Sequence, residues 1–526
     1  MKKKPIHLLI PMSGQGTRYQ KAGYTDPKPL IPVNGTAMVE RLLEKIPTDW
    51  NCTFVLAENH NETKLEPLLK KLRPKSQILY VPKHNQGPSF PLQQSIPYLP
   101  EDETILVSYC DYGLVWDPWH FQEFISYTDC DACLISYKGF HAHYLSPVPY
   151  AYSKLENELV KKVKEKGSFT DNRENEFASC GAYFFKNKDI LKSALEYQIK
   201  NEIKVNGEFY TSLTVEALLQ MNPSAHVRVF EIPYFYQWGT PDDLKDFEYW
   251  EKTFIQKNKF ENSKIATEQI LIPMAGLGSR FKDLTSKRKP FIKLSGTDMY
   301  EKAIHCLPKS DRIGIVSLNE LKNDVRTDYK FKGLKETPAG QALSVEEGLS
   351  LIDLDKPVLV SACDHGLVIN PDKWTLFKNQ SFDAAVFCIK GFPGTRRSPK
   401  SYSYVETTSN EPSPFPVVKR IHLKQSISEN PQNDFLLVGT FWFKSGHLLK
   451  QGIEKLKASK SLINNELYLD GIFDHFRNDN LKSVVFPLDG YFNWGDPDSL
   501  KESLYWEEVF CGHSLTNRSR FPGVEF

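Results

Sequence analysis

The sequence predicts an α/β protein of two tandem three-layer α/β/α domains, each built around a mainly parallel mixed sheet. Three observations lead there. Long stretches of the chain recur in the same order roughly 250 residues on. Within each copy, short apolar β-rich runs alternate with helical stretches, the pattern of βαβ units joined by right-handed crossovers. The composition is globular: 526 residues, 40% hydrophobic and 25% charged, with ordinary Gly and Pro content.

The first strand is Leu8–Met12, inside MKKKPIHLLIPM. That start imitates a signal peptide, but its apolar run ends in a Gly-rich loop with no cleavage-like segment, so it reads as a strand. A helix follows over Met38–Lys45, then strands at Thr53–Ala57, Ile105–Ser108 and Ala132–Tyr137. In the second copy the strands are Ile313–Ser317, Val358–Ser361 and Ala384–Ile389. LLIPMSGQGTRY (Leu8–Tyr19) returns as ILIPMAGLGSRF (Ile270–Phe281), and ILVSYCDYGLVWDP (Ile105–Pro118) as VLVSACDHGLVINP (Val358–Pro371). CGAYFFK becomes VGTFWFK, GEFYTSL becomes NELYLDG, and YQWGTPDDLKDFEYWE becomes FNWGDPDSLKESLYWE. The period is far too long for a solenoid. The expected organisation is domain 1 over 1–257, a polar linker over 258–268, domain 2 over 269–511 and a tail over 512–526.

A net charge of +1 offers no global field for nucleic acid. No apolar run approaches the roughly 20 residues of a membrane helix. The nine cysteines are odd in number and scattered, which reads as reduced thiols in a cytoplasmic protein. Cys130 and Cys133 form a C-x-x-C without a second pair or nearby His, and are expected to be part of a buried strand. Trp250 and Trp506, each preceded by Tyr, are expected to pack a helix on a sheet.

In open α/β sheets, ligands bind beyond the carboxyl ends of the strands. There the first copy places Met12, Ser13, Gly14 and Gly16, followed by Arg18 and Lys28. Glycines let backbone amides approach an anion closely, next to a helix N-terminus. The guanidinium fork and the ammonium add matching charge. The second copy repeats the set as Met274, Ala275, Gly276, Gly278, Arg280 and Lys289. An acidic residue follows a buried strand in each copy, Asp111 in SYCDYG and Asp364 in SACDHG. Facing a phosphate loop, such a carboxylate suits Mg²⁺; the alternative is an Asp that starts a turn.

This G-x-G-x-R loop with its following K-P resembles that of the sugar-1-phosphate nucleotidyltransferases, which have a glycosyltransferase-A-like, Rossmann-like α/β fold. It is similar to a branch found in bacterial capsule and surface-polysaccharide pathways. The resemblance implies transfer of NMP from a nucleoside triphosphate to a sugar phosphate, with pyrophosphate released and Mg²⁺ as cofactor. The partners are then small molecules, not nucleic acid or membrane. Arg18 and Arg280 would hold the leaving phosphates, and Lys28 and Lys289 would neutralise charge at the reacting ones.

Many relatives supply a second metal ligand as a late Asp; here Gln237 and Asn493 stand there, and Asp242 or Asp498 is the other candidate. Glu165 and Lys166 resemble the family's sugar-phosphate-contacting segment, or form an exposed charged loop. Their counterparts are Leu423 and Lys424, so the second copy either takes a different acceptor or is degenerate. Tyr152/Tyr404, Gly181/Gly439, Glu208/Glu466 and Tyr210/Tyr468 match by position as candidate acceptor-pocket residues, although strand aromatics are more often core. Base selection is assigned to Gln86-Gly87 and Gly340-Gln341, where a glycine would let a flat base lie on the backbone. Competing readings are a non-catalytic nucleotide-sugar-binding regulator, kept alive by the missing late Asp, and a glycosyltransferase, disfavoured by the absence of D-x-D.

Overall fold

The computed structural model describes residues 4–60, 62–146, 150–283, 285–408, 413–459, 466–512 and 524–525. The expected tail, 512–526, lies outside the described residues apart from Gly512 and Val524–Glu525. The chain divides into two compact units, one running to Glu248 and the other opening at Tyr249.

The first unit holds a nine-stranded mixed sheet. From one edge its main path is Val227–Glu231, Ala132–Tyr137, Phe177–Phe185, Thr104–Ser108, Ile6–Met12, Asn51–Ala57 and Gln77–Val81. Phe177–Phe185 is antiparallel to its neighbours, and the other six are mutually parallel. A hairpin, Tyr152–Glu156 and Leu159–Lys164, extends the start of the antiparallel strand.

Alternate residues of each central strand face opposite cores, which is why these strands read as unbroken apolar runs. Leu8, Ile10, Phe54 and Leu106 point into one core with Leu42, Leu69 and Phe121 from three helices. Leu9, Val55, Ile105 and Val107 point into the other, under Leu92, Leu195 and Val215 from three more. Six helices on two faces make the expected three layers.

The second unit repeats the order strand for strand: Ser483–Pro487, Ala384–Ile389, Phe435–Phe443, Val358–Ser361, Ile270–Pro273, Ile313–Leu318 and Lys330–Leu334. Its hairpin is Tyr404–Thr407 with Val418–His422. In each unit the first strand has its sequence successor on one side and the strand before the acidic residue on the other. That is a topological switch point, and the Gly loop and the Asp-bearing loop both leave the sheet there.

Two expectations change. The helix Pro241–Phe260 continues into the expected linker, and Ala266 then forms a parallel bridge with Lys309. The polar run that suggested a linker begins as the end of a helix whose apolar positions, Trp250 and Phe254, are buried. Trp250 also stacks on Trp506 with ring centroids 6.5 Å apart, so it packs helix on helix as well as against Phe492 of a strand. Cys130 and Cys133 are buried free thiols at the start of the strand Ala132–Tyr137.

Candidate functional site

At the switch point of the first unit lies a cavity of about 340 Å³, a volume that suits a small organic ligand. Met12, Gly14, Gly16, Arg18, Lys28 and Asp111 all line it. Two strand ends and a third loop therefore converge on one space. Gly16 takes the left-handed conformation (φ 61°) and leads into Thr17–Lys21, a helix of five residues. The helix is shorter than expected, and in the second unit it is a three-residue 3-10 turn, Ser279–Phe281. A dipole this short adds little, so the cradle rests on loop amides and side-chain cations.

Tyr19 anchors the loop. Its hydroxyl donates to the carbonyls of Trp238, 2.6 Å away, and Thr240, 3.0 Å away. The same late segment meets the acidic loop through a short antiparallel ladder in which Tyr112 pairs with Gln237. The Trp238 amide donates to the Asp111 carbonyl at 2.7 Å. Lys28 completes the junction: its Nζ donates to Asp111 Oδ2 at 2.5 Å and to the Gly239 carbonyl at 3.2 Å. The second unit repeats this, with Lys289 paired to Asp364 and donating to the Gly495 carbonyl at 3.1 Å. Burial alone would raise the Asp364 carboxyl, but the Lys289 ammonium beside it holds it below the usual range.

The Gln237 position does lie beside Asp111. A Cβ added to Gly239 would sit 3.6 Å from Gln237 Oε1, 3.7 Å from Asp111 Oδ2 and 3.8 Å from Asp243 Oδ2. The carboxylate that joins this cluster is Asp243, not Asp242: Gln237 Nε2 donates to Asp243 Oδ1 at 2.9 Å. Burial pushes Asp243 up to about 6. In the second unit the acidic residue beside Asn493 is Asp496, not Asp498. No group of three His, Cys, Asp or Glu side chains suited to a metal occurs among the described residues. The oxygens of Asp111, Gln237 and Asp243 nonetheless fit magnesium, a hard cation that usually takes one or two carboxylates and completes its shell with water and phosphate.

On the other side of the cavity, Tyr210 joins the lining. Its hydroxyl donates to Glu208 Oε2 at 2.5 Å and accepts from Lys166, whose ammonium lies 4.5 Å from the ring centroid. Glu165 is held by Ser212, whose hydroxyl donates to Oε2 at 2.5 Å; burial raises this carboxyl. The proposed acceptor residues Glu165, Lys166 and Glu208 are thus not among the residues that line the cavity; Lys166 and Glu208 reach it through Tyr210.

Gly87 behaves differently from expectation. A Cβ there would sit 2.7 Å from both the backbone nitrogen and oxygen of Phe209, at φ 86°. The bare face of the glycine is filled by the neighbouring loop, which it brings close, so it is not a shelf for a base. Phe209 N donates to the Gln86 carbonyl at 2.9 Å, and Leu467 N donates to the Ala339 carbonyl at 3.0 Å. Hence Gly340 matches Gly87, and Ala339 rather than Gln341 is the counterpart of Gln86. Ser13 is buried, with its hydroxyl 2.9 Å from His84 Nε2.

Tyr152 and Tyr404 are 1% and 0% exposed and belong to the core of the hairpin strands. Gly181 and Gly439 lie at irregularities in the antiparallel strand. A Cβ on Gly181 would come 2.9 Å from the Tyr109 ring, which lines the cavity. Sequence reading missed Tyr109, Ser212 and Asp243. Tyr109 could have been found from its place just before Asp111, and Asp243 from the T-P-D-D helix start.

Residues 8–171 match the MobA-like NTP transferase domain. That segment lies wholly within the first unit. No curated protein matches the chain. Among solved structures, it is similar to a nucleoside-diphosphate-sugar pyrophosphorylase from Vibrio cholerae RC9 (18% identity, 46% of this chain and 99% of that one, TM-score 0.38). A putative glucose-1-phosphate thymidylyltransferase from Bacillus anthracis aligns at 16% identity over 46% of this chain and 94% of its own, TM-score 0.37. The inositol-1-phosphate CTP transferase from T. maritima aligns at 16% identity, 46% and 93%, TM-score 0.38. No helix among the described residues is long and apolar enough to cross a membrane.

Proposed function

We propose that the chain is a magnesium-dependent nucleotidyltransferase: nucleoside triphosphate plus a sugar phosphate, or a similar small phosphorylated acceptor, gives the nucleotide sugar and pyrophosphate. The product would serve surface-polysaccharide synthesis. The observation that carries this reading is the convergence of the Gly14–Gly16 loop, Arg18, Lys28 and Asp111 on one cavity. Transfer at a phosphorus needs little covalent help from protein; it needs positioning and charge. The loop amides and Arg18 bind the β- and γ-phosphates that depart. Lys28 is held by Asp111 and the Gly239 carbonyl, aimed at the cavity, and turns its charge to the α-phosphate once a triphosphate enters. Asp111, Gln237 and Asp243 would hold magnesium, which when bound neutralises and orients the phosphates. Tyr210, whose hydroxyl is held by Lys166, orients the incoming acceptor.

Pyrophosphate release, assayed with four NTPs against a panel of sugar and polyol phosphates, tests the reading. At least one pair should support turnover that EDTA abolishes. A folded protein that releases none would end the claim of catalysis.

A further inference from the structure

The second unit has Leu423 where the first has Glu165, which on its own suggests a lost acceptor carboxylate. The structure shows what Glu165 touches: Ser212, whose hydroxyl donates to it at 2.5 Å. The counterpart of Ser212 is fixed by two independent marks. Gly340 approaches the backbone of Leu467 as Gly87 approaches that of Phe209, and Tyr468 hydrogen-bonds Glu466 as Tyr210 bonds Glu208. Counting on from Tyr210 and Tyr468, Ser212 corresponds to Asp470. Lys166 and Lys424, both left-handed at φ 57° and 53°, fix the other side of the contact. The pair Glu165–Ser212 therefore becomes Leu423–Asp470. The carboxylate has moved to the position that Ser212 occupies in the first unit.

Asp470 is 6% exposed, and its Oδ1 has no hydrogen-bond partner. Leu423 packs against the apolar core, and so vacates the polar role. Charges of Asp470 and Arg280 both act on Tyr468 and on Lys424, so the carboxylate shares its surroundings with the cations of the second unit's phosphate loop. A buried carboxylate oxygen without a donor is costly unless a ligand supplies one.

Resting on the reading of the chain as a nucleotidyltransferase, we propose that Asp470 is the acceptor-binding carboxylate of the second unit, in place of Glu165. Its free oxygen accepts a hydroxyl of a phosphorylated sugar or polyol whose phosphate faces Arg280 and Lys424. The second unit is thus a working site. Its acceptor differs from that of the first, because the carboxylate comes from the position of Ser212 rather than of Glu165, on a side chain one methylene shorter.

The test uses the full chain carrying Arg18→Ala, which silences the first site, and pyrophosphate release with the same acceptor panel. Turnover should persist for at least one acceptor. Adding Asp470→Asn should raise the acceptor KM roughly 10- to 100-fold, the worth of a hydrogen bond to a charged group, with the NTP KM within twofold. The exchange Leu423→Glu with Asp470→Ser should shift preference toward the first unit's acceptor. An unchanged acceptor KM in Asp470→Asn, with turnover intact, would overturn the assignment of Asp470 alone. No turnover in Arg18→Ala, with the wild-type chain active and the variant folded, would overturn the working second site and leave the first untouched. No turnover even in the wild-type chain would remove the underlying function and the proposal with it.

Discussion

Asp470→Asn should make the second unit more stable above neutral pH, even as it weakens acceptor binding. Burial pushes this carboxyl from the usual 3.8 up to about 7. The Lys424 ammonium pulls the other way without prevailing; it is itself depressed by burial and by Arg280. Burial thus works against the charge on both groups. The unfolded chain loses the Asp470 proton near pH 4, while the folded chain keeps it to about 7. Stability from this group is greatest below pH 4 and is lost as pH rises from 4 to 7. A gap of about three pH units at 1.36 kcal/mol each corresponds to about 4 kcal/mol at pH 8. Asparagine removes that penalty but brings two N–H donors into a dry site, at about 1–3 kcal/mol. A net gain of about 1–3 kcal/mol is expected at pH 8, shrinking to nothing or reversing near pH 4. Denaturant-dependent hydrogen exchange of the segment around Ile472–Asn478, at pH 5, 6, 7 and 8, reads the second unit separately from the first. A variant no more stable at pH 8, or a difference that does not grow with pH, would refute the reasoning.

Gly87→Ala combines a left-handed backbone with a backbone clash at 2.7 Å; it should cost about 2–4 kcal/mol in denaturant unfolding of the first unit, and Gly340→Ala at least as much in the second. Lys28→Ala should lower kcat about 100-fold or more in steady-state pyrophosphate assays. Lys28→Arg should not restore it, because a planar fork cannot occupy the point between Asp111 and the Gly239 carbonyl. Arg18→Ala and Arg280→Ala, assayed separately, should each abolish turnover of a different acceptor; an Arg280→Ala chain with every activity intact would make the second half structural or regulatory.

The sheet was legible because its strands are buried on both faces, which leaves a continuous apolar run such as Ile105–Ser108 that loops cannot imitate. Doubling of the chain supplied the rest, since a glycine, arginine or aspartate that recurs in order is hard to attribute to chance. Local detail was less legible. Gln86-Gly87 looked like a base-binding turn because a glycine advertises close approach without saying what approaches, and only the fold brings Phe209 there. Tyr152 looked like a pocket wall because an aromatic on a strand has two faces to choose from, and in the fold its side chain is part of the buried core. The first three residues of the expected linker, 258–260, are the end of a helix, and an exposed helix end and a loop share one composition.

The comparison of the two copies failed in one consistent way, and its cause is physical. Matching position by position, Glu165 is lost at Leu423 and Asp243 is lost at Ser499. In each case the carboxylate reappears at the contact partner: Ser212 becomes Asp470, and Thr240 becomes Asp496. The second exchange is visible in hydrogen bonds. Thr240 Oγ1 donates to Asp243 Oδ2 at 2.6 Å in one unit, and Ser499 Oγ donates to Asp496 Oδ2 at 2.8 Å in the other. Either order also satisfies a first-turn amide of the following helix, Asp243 N donating to Thr240 Oγ1 and Ser499 N to Asp496 Oδ1, because an N-cap acceptor and its partner three residues on can trade roles. In this second exchange a negative charge and a hydroxyl stay within hydrogen-bond distance, and which backbone position delivers each is secondary. The exchange at Leu423 and Asp470 keeps the negative charge but not the hydroxyl, whereas the exchange at Asp496 and Ser499 keeps both. A negative charge retained at both places is what the proposed second site predicts, and it is not expected of a copy free to drift.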